Sequence, residues 1–205
     1  MPKEPERQDR SRNRRKALLA LAVAAPVLAA VVLHPTIAVG DQTAPVIDEH
    51  GSHAAGMGAE LAQVRAATAK YHRVAEAVAD GYELGWVNGS GNRIVAGCVS
   101  SPTAGAMGYH YFNAALMADN AVDELEPEVL VYAPSPEGLK LVAVEWVVRS
   151  AQSNPPGVST PPSVLGMPMH ILVPPPGPAF YLTHARIWAE NPAGMFADFN
   201  PEVSC

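Results

Sequence analysis

The residue with the most demanding chemistry in this sequence is Glu145, a carboxylate inside the run Leu141-Val142-Ala143-Val144-Glu145-Trp146-Val147-Val148. The run is apolar on both faces of a strand, and alternation aligns Glu145 with Ala143 and Val147 rather than with polar neighbours. A buried, unpaired carboxylate is too costly to keep, so Glu145 must meet a cation, a metal or a proton. Three histidines are the candidates to join it. His110 sits in Met107-Gly108-Tyr109-His110-Tyr111-Phe112, where Gly108 permits close approach of backbone or ligand. His184 sits in Phe180-Tyr181-Leu182-Thr183-His184-Ala185-Arg186-Ile187-Trp188, sharing a strand face with Leu182, Arg186 and Trp188. His72 lies at the edge of a helical apolar stripe, one turn before Glu76.

Two or three imidazoles and one carboxylate projecting from antiparallel strands are the ligand set of a mononuclear Zn, Cu, Fe or Mn site, with zinc or copper the leading choice. An open coordination position would let such a metal act as a Lewis acid on water or oxygen, with Glu145 as ligand or general base. Tyr109 and Trp146 are expected to line the same pocket and to touch a small ligand there. The residues are scattered, with no H-x-H or H-E-x-x-H spacing among them. A non-catalytic envelope or interaction module would use them differently, pairing Glu145 with Arg186 or Arg149 while each histidine donates to a backbone carbonyl. A heme or apolar-ligand carrier would use His110 or His184 as axial ligand. Met167-Pro168-Met169-His170 offers soft thioethers beside an imidazole, suited either to Cu(I) or to plugging a core. Asp48-Glu49-His50 with His53 reads as solvated polar filler in a tether, and no serine nucleophile elbow or phosphate loop is present.

These side chains need a rigid frame. From Ala59 to Tyr82 the positions Leu61, Val64, Thr68, Tyr71, Ala75, Val78 and Tyr82 recur at spacings of three and four, which predicts one amphipathic helix of about six turns ending at Gly81. Beyond Arg93 the texture becomes β-branched and aromatic, predicting strands over 93–99, 106–112, 129–133, 139–148 and 180–189. Residues 128–133 and 139–149 read as a hairpin across Pro134-Ser135-Pro136-Glu137-Gly138. Nine prolines between Gln152 and Pro178 predict a stiff excursion rather than regular structure, serving as a lid, a binding edge or a strap. One long helix followed by strands, with no βαβ alternation, indicates an α+β domain. Its antiparallel sheet would pack on the helix and curl into a cone or partial barrel.

The chain has 205 residues, 48% hydrophobic and 17% charged, enough apolar content for a packed core and too much for a disordered chain. Seven of its 14 basic and three of its 20 acidic residues fall within residues 1–40, so the remainder carries seven basic against 17 acidic residues, a net −10. That acidity excludes a nucleic-acid binder. The basic head ending Arg14-Arg15-Lys16, the uncharged stretch Ala17–Leu33 and Ala38-Val39-Gly40 describe an export signal, cleaved after Gly40 or retained as an anchor, with a loose similarity to a twin-arginine signal. The membrane would be touched only through this segment, residues 41–57 would be a linker, and the domain at 58–205 would be extracytoplasmic. In that oxidising setting Cys98 and Cys205, the only two cysteines, are expected to form one bridge. Nothing in the sequence speaks to oligomeric state.

Several stretches together resemble a family of uncharacterised exported bacterial proteins. They are Ala67-Thr68-Ala69-Lys70-Tyr71-His72 with Gly81-Tyr82, Gly105-Ala106-Met107-Gly108-Tyr109-His110-Tyr111, Pro127-Glu128-Val129-Leu130-Val131-Tyr132, Leu141-Val142-Ala143-Val144-Glu145-Trp146, and Asn191-Pro192-Ala193-Gly194-Met195-Phe196 through Asn200-Pro201-Glu202-Val203-Ser204-Cys205. The resemblance spans nearly all of residues 60–205. It implies a single exported domain with His72, His110, Glu145 and His184 as an ordered set, and no assigned activity. Ala185-Arg186 after His184 departs from the family pattern, which places a Trp two residues beyond the histidine.

Overall fold

A computed structural model of the chain describes residues 49–172 and 179–205, with side chains from residue 56 onward. The export signal read over residues 1–40, the start of the linker, the side chains of Asp48, Glu49, His50 and His53, and the prolines at 174, 175, 176 and 178 lie outside the described residues.

The helical region is not one rod. Helix α1 spans Glu49–Thr68, beginning within the stretch read as linker. It gives way to a 3-10 turn at Ala69–His72, an extended Arg73, and a short α2 at Val74–Ala79. The expected six-turn helix over 59–82 is therefore broken, and Tyr82 belongs to a strand. The break has visible causes. The buried Thr68 hydroxyl donates back to the Val64 carbonyl at 2.8 Å, a bond that bends helices, and accepts from the Trp188 indole at 3.2 Å. The Tyr71 carbonyl, freed from the helix, accepts the Tyr132 hydroxyl of the sheet at 2.7 Å. Tertiary hydrogen bonds thus override a helical repeat.

Among the described residues eleven strands follow: β1 Tyr82–Leu84, β2 Trp86–Val87, β3 Arg93–Ile94, β4 Cys98–Ser101, β5 Gly105–Asn113, β6 Val129–Ser135, β7 Gly138–Arg149, β8 Ser163–Val164, β9 Met167–Pro168, β10 His170–Leu172 and β11 Phe180–Ala185. Seven of them form an antiparallel sheet in the order β1-β5-β6-β7-β11-β10, with β4 also paired to β5. The sheet stays open, so neither a cone nor a barrel closes. The β6–β7 hairpin turns more tightly than its five-residue spacer suggests, with Ser135 opposite Gly138. The proline-rich excursion contains more order than its composition implies: β8 and β9 pair with each other, and β10 joins the sheet beside β11.

The two sheet faces carry different cores. Leu130, Tyr132, Val144, Trp146 and Ala185 pack with Leu61, Val64, Tyr71 and Ala77 of the helical region. Phe112, Val129, Val131, Val147, Phe180 and Leu182 form the second cluster, together with Val203 near the C-terminus. That C-terminal stretch is fastened by a reciprocal backbone pair between Ala106 and Asn200, by the Asn200 side chain on the Glu190 carbonyl, and by a Cys98–Cys205 disulfide. The bridge marks an oxidising environment. Among the described residues no helix is long and apolar enough to cross a membrane.

Candidate metal centre

Three neighbouring strand segments supply the site. Register places His184 of β11 opposite Glu145 of β7, and Glu145 opposite Val129 of β6. On the far side of β6, His110 of β5 pairs with Val131. Alternation then sends His110, Glu145 and His184 to the face of the second cluster. Gly108 makes this spacing work: its φ is +123°, and a Cβ built there would lie 2.4 Å from the Tyr132 carbonyl oxygen. The close approach that glycine permits is thus to the backbone of β6, at a register shift between Val131 and Tyr132.

The three side chains are buried, at 3%, 2% and 0% exposure for His110, Glu145 and His184. His110 Nε2 lies 3.7 Å from Glu145 Oε2, and His184 Nε2 lies 3.5 Å from Glu145 Oε1. The two imidazole rings stand 5.9 Å apart at 80°. These separations are too long for hydrogen bonds, yet they match donors around a common ion with bonds of about 2.1 Å. Glu145 Oε2, His184 Nε2 and His110 Nδ1 are all buried without a hydrogen-bond partner. His110, Glu145 and His184 therefore form a buried group that can hold a metal ion.

Electrostatics point the same way. Burial, reinforced by the neighbouring His184 and Arg186, pushes His110 down to about 3, so the ring is neutral and offers a lone pair. Burial pushes Glu145 up, only partly opposed by His184, so the free carboxylate lacks a partner for its charge. Neither arginine that the sequence offers supplies one. Arg186 is buried but spends its guanidinium on the carbonyls of Met107, Ala197 and Asp198. Arg149 bonds Asn120 and the Ala118 carbonyl.

One site residue carried no signal in the sequence. Asp198 Oδ1 meets His184 Nδ1 at 3.1 Å, fixing that ring with Nε2 directed at Glu145. Its other oxygen meets His170 Nε2 at 3.1 Å. Burial raises the Asp198 carboxyl, but the hydrogen bond and charge of His184, with help from His170, bring it below the usual range. A carboxylate behind a ligating histidine is the usual means of setting its tautomer and orientation. Asp198 arrives from the loop that follows β11, and its only local mark is the turn-rich run that ends at Asn200-Pro201.

Other expected members are elsewhere. His72 is exposed and packs edge-on against Trp188 at 4.3 Å. Trp146 belongs to the helix-side core, where its indole donates to the Asp123 carbonyl at 3.1 Å. Tyr109 shares the helix-side orientation of Tyr111 by alternation, and neither it nor Trp146 lines the cavity at the site. Met169 is buried in the helix-side core while His170 bonds Asp198, so Met167-Pro168-Met169-His170 forms no thioether site.

His110 and Glu145 lie at the wall of a cavity of about 360 Å³, otherwise lined by apolar side chains including Val99, Met107, Phe112, Val147, Phe180, Leu182 and Phe199. No family model, curated protein or solved structure matches the chain.

Proposed function

We propose that this is an exported protein that holds one divalent transition metal ion, zinc or copper by the chemistry of the donors, through His110, Glu145 and His184. The observation that carries the reading is the convergence, from three strands, of two buried imidazoles and one buried carboxylate whose facing atoms stand 3.5 to 3.7 Å apart, with Glu145 Oε2 and His184 Nε2 left without hydrogen-bond partners. Two imidazoles and one carboxylate leave coordination positions for water or a small molecule, and the cavity supplies room for it. In this arrangement Glu145 supplies the one charged ligand, and Asp198 holds the His184 ring in place. The disulfide and the basic, then apolar, N-terminal sequence support export.

Elemental analysis of protein purified from its secretion route without chelator tests this directly. About one equivalent of Zn or Cu is expected, falling to background in His110→Ala and Glu145→Gln. Metal-free wild-type protein that also takes up none from a metal-supplemented buffer would overturn the reading.

A further inference from the structure

Resting on that metal reading, we infer that the site takes a small apolar acid: a molecule with one anionic oxygen head for the metal and a hydrocarbon body for the cavity. The head follows from charge. A metal dication with Glu145, the one carboxylate among the three ligands, carries a net positive charge. An anionic donor completes that balance in a buried setting where net charge is costly. The body follows from the wall. Among the described residues Glu145 is the one carboxylate lining the cavity and no lysine or arginine lines it, so a second charge on the ligand would find no partner there. The remaining surface is aliphatic and aromatic, with Phe112, Phe180 and Phe199 presenting rings. A cavity of roughly 150 Å³ admits benzene. At about 360 Å³ this one accommodates a body of one to two rings or a comparable chain.

Val99 of β4 lines this cavity and is half-buried, as are Val95, Leu172 and Phe199, while Leu182 of β11 is buried at 2% exposure.

Zinc-loaded full-length protein titrated calorimetrically with benzohydroxamate and with acetohydroxamate tests this, because the two share one metal-binding head and differ in phenyl against methyl. Benzohydroxamate should bind at least about tenfold more tightly, the discrimination a hydrophobic pocket gives to added carbon. In Val99→Trp, which enlarges a half-buried side chain of the cavity wall, the preference should vanish while the zinc content stays at one equivalent. Equal affinities in a protein shown to carry zinc would overturn this inference alone, as would a Val99→Trp protein that keeps the preference. A protein without zinc would overturn the reading of the site, and this inference with it.

Discussion

At the residue scale the decisive contrast is between Glu145 and the groups that could have neutralised it. With both arginines engaged elsewhere, Glu145→Gln breaks no pair with an arginine and removes a carboxylate whose ionised form is disfavoured by burial. The expectation is that metal-free Glu145→Gln is at least as stable as metal-free wild type in thermal melts, while its metal uptake is abolished. Asp198→Asn should keep all three ligands but weaken metal affinity by about 10- to 100-fold, measurable by competition with a chromogenic chelator. Glu128 gives a separate pH signature. It is buried, accepts the Val147 amide at 3.0 Å, and is pushed up to about 8 by burial. The folded state therefore holds this proton more tightly than the unfolded chain does. Its stabilisation is fully present below the ordinary carboxylate range and is lost as pH rises toward about 8. Urea melts of metal-free protein should show wild type losing roughly 5 kcal/mol across that interval relative to Glu128→Gln. A flat difference between the two proteins would contradict the assignment.

Elements decide whether these residues meet. The sequence made His110, Glu145 and His184 legible because each is polar in a strand that is otherwise apolar, and strand pairing then needs only the correct register. The same alternation argues against Tyr109 and Trp146, since immediate neighbours along a strand face opposite sides. Trp146 belongs to the helix-side core, and Tyr109 faces the same side by alternation. The helix break was not legible: Leu61 to Tyr82 keeps a helical repeat throughout, and what ends the helix is Tyr132, sixty-one residues after the Tyr71 carbonyl that it binds. Asp198 was hidden for a related reason, because a loop has no period from which to infer where a side chain points. Gly108 offers a test at this scale. Gly108→Ala forces a Cβ against the Tyr132 carbonyl at a positive φ, so it should cost roughly 2 to 4 kcal/mol by chemical denaturation and reduce metal binding by displacing β5 from β6.

For the molecule as a whole, metal binding and folding share one free energy, since the three ligands come together only when β5, β7 and β11 are paired. Zinc at about 100 times its dissociation constant should stabilise the protein by about 2.7 kcal/mol, seen as a rise in Tm that His110→Ala lacks. The Cys98–Cys205 bridge adds a second constraint, worth about 4 to 5 kcal/mol against the unfolded chain for a separation of 107 residues. Cys98→Ala/Cys205→Ala should lose that stability. It should also lower metal affinity, because the bridge anchors the stretch carrying Asp198.

The same bridge has a consequence for resistance to proteolysis. His110, Glu145, His184 and Asp198 all lie between the two joined cysteines, whereas α1, α2 and β1 to β3 lie before them. A protease that cuts once within the proline-rich segment between β7 and β11 leaves two pieces that remain one covalent molecule, each still tied to its share of the site. Such a nicked protein would migrate as a single band until reductant is added, and any metal held by His110, Glu145 and His184 would be carried through the cut.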